Sequence, residues 1–209
     1  MPILLHLIAS PRGDFSISRR LTTAAVDAWK KKNPGGKVIE RDLTKTEMTF
    51  VNVDWITGAF SKPDHHTESQ KSALAISDEL IDELLESDEI IIGTPMYNFA
   101  IPAVLKAWID HVVRFGKTFT YGTGGREGLV KGRKVVIVVA SGQKYDGASG
   151  LGAYDYEVPY LKHIMDFIGI TDVTFVQAGG TMQVAQNQIS ADEFVAPLLQ
   201  RIAETVQSR

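Results

Sequence analysis

Five short aliphatic stretches with helical patterns between them restrict the fold of this chain more than any other feature. Ile3 to Ile8 is nearly all apolar, as is Glu89 to Ile92, and Lys134 to Ala140 reads Lys-Val-Val-Ile-Val-Val-Ala. Lys37 to Glu40 and Val173 to Gln177 are shorter versions. A strand with one wet face alternates polar and apolar residues. These stretches do not, so each is predicted to be a strand buried on both faces, as in a parallel sheet. The segments between them carry helix punctuation. Thr67 followed by Gln70 forms a capping box ahead of an apolar stripe at Leu74, Ile81, Leu84 and Leu85. Pro102 suits the first turn of a helix that points Val104, Leu105, Trp108, Ile109 and Val112 inward and stops at Gly116. A further stripe, Val158, Leu161, Ile164, Met165 and Ile168, ends at Gly169, and an amphipathic pattern closes the chain from Ser190 to Val206. Five strands alternating with five helices make a doubly wound α/β sheet with helices on both faces, and so few strands favour the order 2-1-3-4-5. Met48 to Asp64 reads as a polar connection whose structure the sequence leaves open, and Thr118 to Tyr121 as a short extended excursion.

Composition narrows the function classes. The 209 residues fit one domain spanning 1–209, large enough to bury roughly 70% of its unfolded surface without a disulfide or metal staple. Cysteine is absent, which removes thiolate zinc sites and Cys nucleophiles. Lys+Arg 22 against Asp+Glu 25 is too balanced for a nucleic-acid footprint. No apolar run approaches the roughly 18 residues of a membrane span, and Met1-Pro2-Ile3-Leu4-Leu5-His6 lacks the basic start of a signal peptide. The expectation is a soluble cytoplasmic protein with no metal: His65 and His66 are adjacent and share no helical face, while His6 and His111 suit core positions.

Ligands of such a sheet bind beyond the carboxyl ends of the strands, where the strand order reverses. Three loops qualify. The first reads Ser10-Pro11-Arg12-Gly13-Asp14-Phe15-Ser16-Ile17-Ser18 and runs into a helix. It has no G-x-G-x-x-G and no G-K-[ST]. Its hydroxyls suit a terminal monophosphate at a helix N-terminus, and equally an ordinary helix cap. The second, Thr94-Pro95-Met96-Tyr97-Asn98-Phe99-Ala100, is stiffened by proline and offers backbone amides and large side chains to a flat heterocycle. Each of Met96, Tyr97 and Phe99 alone would pass for core; together at the open end of a sheet they point to a ring site. The third, Ala140-Ser141-Gly142-Gln143-Lys144-Tyr145, offers close backbone approach and donors for a negative ring, or a plain surface turn. Ten of the 18 glycines fall between Gly116 and Gly152, which marks this region as loop-rich.

Taken together, these residues resemble the FMN-dependent NADH-azoreductase family, flavodoxin-like quinone and azo-dye reductases. The resemblance spans nearly the whole chain. It is most specific at Pro95-Met96-Tyr97-Asn98-Phe99 with Leu105-Lys106, and extends to Thr118-Phe119-Thr120-Tyr121, Glu127-Gly128-Leu129-Val130 and Phe167-Ile168-Gly169-Ile170-Thr171-Asp172. It implies a flavodoxin-like fold and tightly held, non-covalent FMN. Ser10, Ser16, Ile17 and Ser18 would hold the phosphate. Pro95, Met96, Tyr97, Asn98 and Phe99 would flank the ring, and Ala140, Ser141, Gly142 and Gln143 its pyrimidine side. Phe99, Tyr121 and Phe167 would form the substrate pocket, Phe167 coming from the partner of a homodimer. Ala140 to Gln143 departs from the glycine pair common in the family, and Gly147 to Tyr156 is expanded.

The activity so implied is two-electron transfer from NADH or NADPH to quinones or azo compounds by a ping-pong cycle, with Asn98 and Tyr121 as the side chains nearest to a catalytic role. Two alternatives stand beside it: a flavodoxin-like electron-transfer protein, which belongs to another class, and an NADPH:FMN reductase that releases reduced flavin, which keeps the enzyme class and changes the task.

Overall fold

The computed structural model describes residues 1–208 and follows the expected alternation closely. In chain order it comprises β1 (Ile3–Ile8), α1 (Ile17–Lys32), β2 (Lys37–Asp42), α2 (Val53–Ala59), α3 (Glu68–Glu86), β3 (Glu89–Pro95) and α4 (Ala103–Val112). There follow β4 (Phe119–Gly122), β5 (Gly125–Gly128), β6 (Lys134–Ser141), α5 (Val158–Ile168), β7 (Asp172–Gly179), α6 (Met182–Ala185) and α7 (Ala191–Gln207). Five strands pair in the order β2-β1-β3-β6-β7, all parallel. Counting only those five, this is the order 2-1-3-4-5. The antiparallel pair β4-β5 stands apart as a second, two-stranded sheet.

Both faces of the large sheet are buried, which is why its strands carry no alternation. Leu5, Leu7, Ile90, Ile92, Val135, Ile137 and Val139 point to one side, against Leu80 and Leu84 of α3, Trp108 of α4 and Leu161 and Met165 of α5. Leu4, Ile91, Val136, Val138 and Val176 point to the other, against Leu21 and Trp29 of α1 and Val195 and Ile202 of α7. Each such side chain contributes roughly 1.5–3 kcal/mol on burial, and together they hold the carboxyl ends of β1, β3 and β6 in one fixed row. α1 lies close on β3 because Gly93 has no side chain; a Cβ there would meet the Thr22 side chain at 3.0 Å. Among the described residues no helix is long and apolar enough to cross a membrane, and no group of three or more His, Asp and Glu could hold a metal ion.

The punctuation is realised with local differences. Thr67 and Gln70 form the capping box of α3, Ser190 and Glu193 that of α7, and Gly169 closes α5 in the left-handed conformation at φ 102°. Leu85 is half-exposed, and Leu80 takes the expected inward place beside Ile81 and Leu84. Pro102 is the N-cap of α4 and not in its first turn. α4 ends at Val112, four residues before Gly116, because the Thr118 hydroxyl donates to the Val112 carbonyl at 2.6 Å and accepts the Arg114 N–H at 3.0 Å. Gly116 instead supplies positive φ for the turn into β4, and its N–H donates to the Phe119 carbonyl. The extended excursion at Thr118 to Tyr121 is one half of the β4-β5 hairpin. The connection from Met48 to Asp64 contains α2, capped by Asn52 and anchored by the buried Trp55, whose indole donates to His111 Nδ1 at 3.2 Å.

Candidate functional site

The loop after β1 turns through a short 3-10 segment, Gly13–Phe15, and enters α1 with Ser16 as N-cap. The Ser16 hydroxyl accepts the Arg19 N–H at 3.2 Å and lies 3.2 Å from the Ser18 hydroxyl. Ser10, Ser16 and Ser18 are all buried. The N–H groups of Ile17 and Ser18 belong to the first helical turn, where no intrahelical acceptor exists, and the helix dipole adds positive potential there. These groups share one cavity of about 100 Å³ with Pro95, Met96 and Tyr97 from the end of β3, and with Ala140 and Gly142 from the end of β6. Nine of the predicted residues thus converge on one cradle. Sequence reasoning missed two others that line it, Arg12 and Thr181. Arg12 brings a cation to a site otherwise made of hydroxyls and amides. Thr181 arrives from the loop after β7, because its N–H and hydroxyl both donate to the Ser141 carbonyl.

Beyond Met96 the chain makes a tight turn. The Tyr97 N–H donates to the Ala100 carbonyl at 2.9 Å, and the Ala100 N–H to the Tyr97 carbonyl at 3.1 Å. Asn98 and Phe99 at its centre have φ of 50° and 71°. Two consecutive left-handed residues are what a primed turn requires, usually with glycine present. Asn98 and Phe99 do not line the cradle; they form the turn that follows it, exposed, with the Phe99 ring against Tyr145 and Tyr154. The Phe99 carbonyl accepts the Tyr156 N–H at 3.1 Å, so the expanded 147–156 segment braces the turn. The Met96 N–H donates to the Ala140 carbonyl at 2.8 Å, tying the second loop to the third.

Ser141 and Gln143 also stand outside the cradle. The Ser141 hydroxyl is spent on the Gln143 carbonyl at 2.7 Å, and Gln143 is exposed. Tyr121 and Phe167 lie elsewhere in this chain. Phe167 packs on Phe119 at 4.8 Å with the Arg126 guanidinium over its face at 4.7 Å, and Tyr121 stacks on Phe115. No ring contact links this cluster to Tyr97 or Phe99 among the described residues.

A fully buried acid underlies the site. Glu157, just before α5, receives the Thr94 hydroxyl on Oε1 at 2.9 Å, while its Oε2 has no partner. No cation pairs with it among the described residues. Burial therefore pushes its carboxyl up to about 8, with nearby Asp155 adding to the shift and the Thr94 bond opposing it. Thr94 sits in β3 one residue before Pro95, so this acid stands directly behind the loop that follows β3. The remaining polar residues are structural. His6 bonds Thr22 at 2.9 Å, and burial holds its imidazole below the usual range. His111 takes the Trp55 indole and faces the Thr49 carbonyl, and Asp42 pairs with Arg19.

Comparison with known proteins agrees with this geometry. A family described as having a flavodoxin-like fold matches residues 3–202. A protein of Burkholderia lata named FMN-dependent NADH:quinone oxidoreductase 8 is 46% identical over 98% of this chain and 96% of its own length. A Jannaschia protein named FMN-dependent NADH:quinone oxidoreductase 2 is 44% identical over 99% of this chain and 100% of its own. Among solved structures, an azoreductase from Bacillus anthracis superposes with a TM-score of 0.89 at 31% identity, covering 100% of both chains.

Proposed function

Since the chain belongs to the flavodoxin-like fold family, we propose that it acts as one domain that binds FMN and carries electrons from NADH to quinones and azo compounds. The observation that bears most weight is the cradle itself. Three buried serine hydroxyls, the free N–H groups of α1 and the Arg12 cation converge where a monophosphate would sit, and Pro95 to Tyr97 begin where a ring would follow. The set suits FMN better than a dinucleotide, because it holds one anion and has no second glycine-rich loop. The names of the relatives and of the solved neighbour support the activity. When bound, FMN supplies the two-electron redox chemistry, and no side chain is needed as a nucleophile.

What the chain supplies is placement and electrostatics. Ser10, Ser16 and Ser18 anchor the phosphate, Met96 and Tyr97 offer apolar contact, and the backbone at Ala140 and Gly142 can approach a ring edge closely because neither carries a bulky side chain. The Asn98 side chain, exposed in the turn that follows the cradle, would reach for the ring edge or an acceptor, and Tyr121 is a proton donor only if a second copy brings it to the site. One ring-accepting loop implies one stacking place, so the oxidised donor leaves before the acceptor enters.

Two measurements test this reading. The purified protein is expected to be yellow and to release FMN on denaturation; a colourless protein that binds no added FMN would refute it. In steady state, double-reciprocal plots for NADH at several fixed quinone concentrations should run parallel, and intersecting lines would remove the single-place mechanism.

A further inference from the structure

A second cavity, of about 490 Å³, lies across Met96 from the cradle, and nothing in the proposed function uses it. Met96 borders both spaces. The floor of this cavity is the carboxyl ends of β6 and β7, at Val139, Ser141, Gln177 and Gly179, and its back wall is α7. We propose that it receives the adenosine-diphosphate half of the nicotinamide dinucleotide, an inference that rests on the NADH-oxidising function proposed above.

Size, shape and chemistry each support that occupant. Ligand pockets run from about 300 to 1,000 Å³, and this space, at about 490 Å³, falls within that range. Ile189, Phe194 and Leu198 give it an apolar wall suited to a purine face. Pro197 lines it from within α7 and has no N–H, so the Glu193 carbonyl one turn earlier is left without its helical donor. A carbonyl of this kind is an acceptor for an exocyclic amine.

Charge decides where in the cavity a diphosphate would lie. Three carboxylates border it, and each accepts backbone N–H groups. Asp155 accepts the N–H groups of Glu157 and Val158, Asp146 that of Ser149, and Glu193 that of Ser190. Two cations, Lys144 and Arg201, also border it, and neither makes an ion pair among the described residues. The lining therefore carries both signs; Lys144 and Arg201 are its groups that can meet a diphosphate, and Lys144 also helps to hold the Asp146 carboxyl below its usual range. The chain carries no glycine fingerprint to bind a diphosphate through backbone N–H groups, and two side-chain cations are the available substitute. A donor whose nicotinamide stacks at the ring site must lay its other half on the protein within one dinucleotide length. The cavity adjoining Met96 meets that demand.

The test compares two donors on the FMN-loaded enzyme with excess quinone: NADH, and reduced nicotinamide mononucleotide, which lacks the adenosine half. Remote contacts raise kcat/KM for the full donor, so NADH should be used at least about tenfold more efficiently. Arg201→Ala should raise the KM for NADH about ten- to a hundredfold and leave turnover of the truncated donor unchanged. Leu198→Trp, which fills the cavity, should act alike. Calorimetric titration should show ADP-ribose binding to the wild-type holoenzyme and not to Arg201→Ala. Equal kcat/KM for the two donors in the wild type, or a wild-type donor ratio in both variants, would overturn the inference while leaving the proposed activity standing. If neither donor reduces any quinone, the proposed activity falls and this inference with it.

Discussion

Ser16 and Ser18 lie side by side in the cradle but are not equivalent. The Ser16 hydroxyl serves as the cap of α1, whereas among the described residues the one side-chain partner of the Ser18 hydroxyl is Ser16 itself. Ser18→Ala should therefore weaken FMN about ten- to a hundredfold with little change in melting temperature, while Ser16→Ala should add the loss of a helix cap, about 1 kcal/mol. Titrating the apoprotein with FMN by fluorescence, alongside a melt, separates the two; wild-type affinity in the double variant would reduce the pair to helix caps. Glu157 gives a second residue-scale expectation, in pH. Its folded carboxyl titrates near 8 against 4.5 when unfolded, so the folded state holds the extra proton between those values. Stability should then fall as pH rises through that window, by at most about 1.4 kcal/mol per unit from this group, and level off above it. Glu157→Gln should abolish that decline, so urea denaturation of both proteins from pH 5 to 8 should diverge upward in pH; parallel curves would show that the acid is not buried neutral. The serines drew notice in the sequence because hydroxyls before a helix suit a phosphate or a helix cap, and the sequence left the two open. Glu157 did not, since a glutamate gives no sequence sign of being fully buried, and Thr181 was hidden because backbone bonds to Ser141 bring it in from a strand end that strand order alone does not implicate.

At the scale of elements, the β4-β5 hairpin shows why part of the fold escaped sequence reading. Its strands are four residues each; Thr118 to Tyr121 reads as extended in the sequence, but of β5 only Gly128 is buried, so no apolar period announces the second strand. The glycines read as loop, while in fact Gly128 is the contact that docks the hairpin. A Cβ there would lie 2.2 Å from the Gly169 nitrogen, at the end of α5. Gly128→Ala must push the hairpin off α5 and should destabilise the protein by about 1–3 kcal/mol, readable as a lower melting temperature. It should also loosen Phe119 from Phe167. An unchanged melt would mean that the hairpin is not held there. The five central strands, by contrast, were legible because burial on both faces leaves an unbroken aliphatic signature. α2 was missed because its seven residues bury one large side chain, Trp55, too few to display a stripe.

For the whole molecule, the outstanding feature is aromatic surface. Phe60, Phe115 and Tyr121 stack on one another while largely exposed, beside the Phe119–Phe167 pair. An exposed apolar patch of this kind suits an interface, and two of the three residues expected in the substrate pocket, Tyr121 and Phe167, are among those forming it. A homodimer is the predicted state by sedimentation, with Tyr121→Ser and Phe167→Ala shifting the equilibrium toward monomer and lowering quinone turnover together. A fully active monomer at assay concentration would refute this. The turn at Asn98 and Phe99 has a different consequence. Each of the two holds a left-handed backbone at a cost on the order of 1 kcal/mol that glycine would not incur, and the rigid sheet carries that cost. Breeding this protein for heat endurance alone would reward glycine at those positions first, and so would erode the loop proposed to seat a flat molecule. Endurance and turnover pull this turn in opposite directions, and a redesign for robustness should hold residues 97–100 fixed.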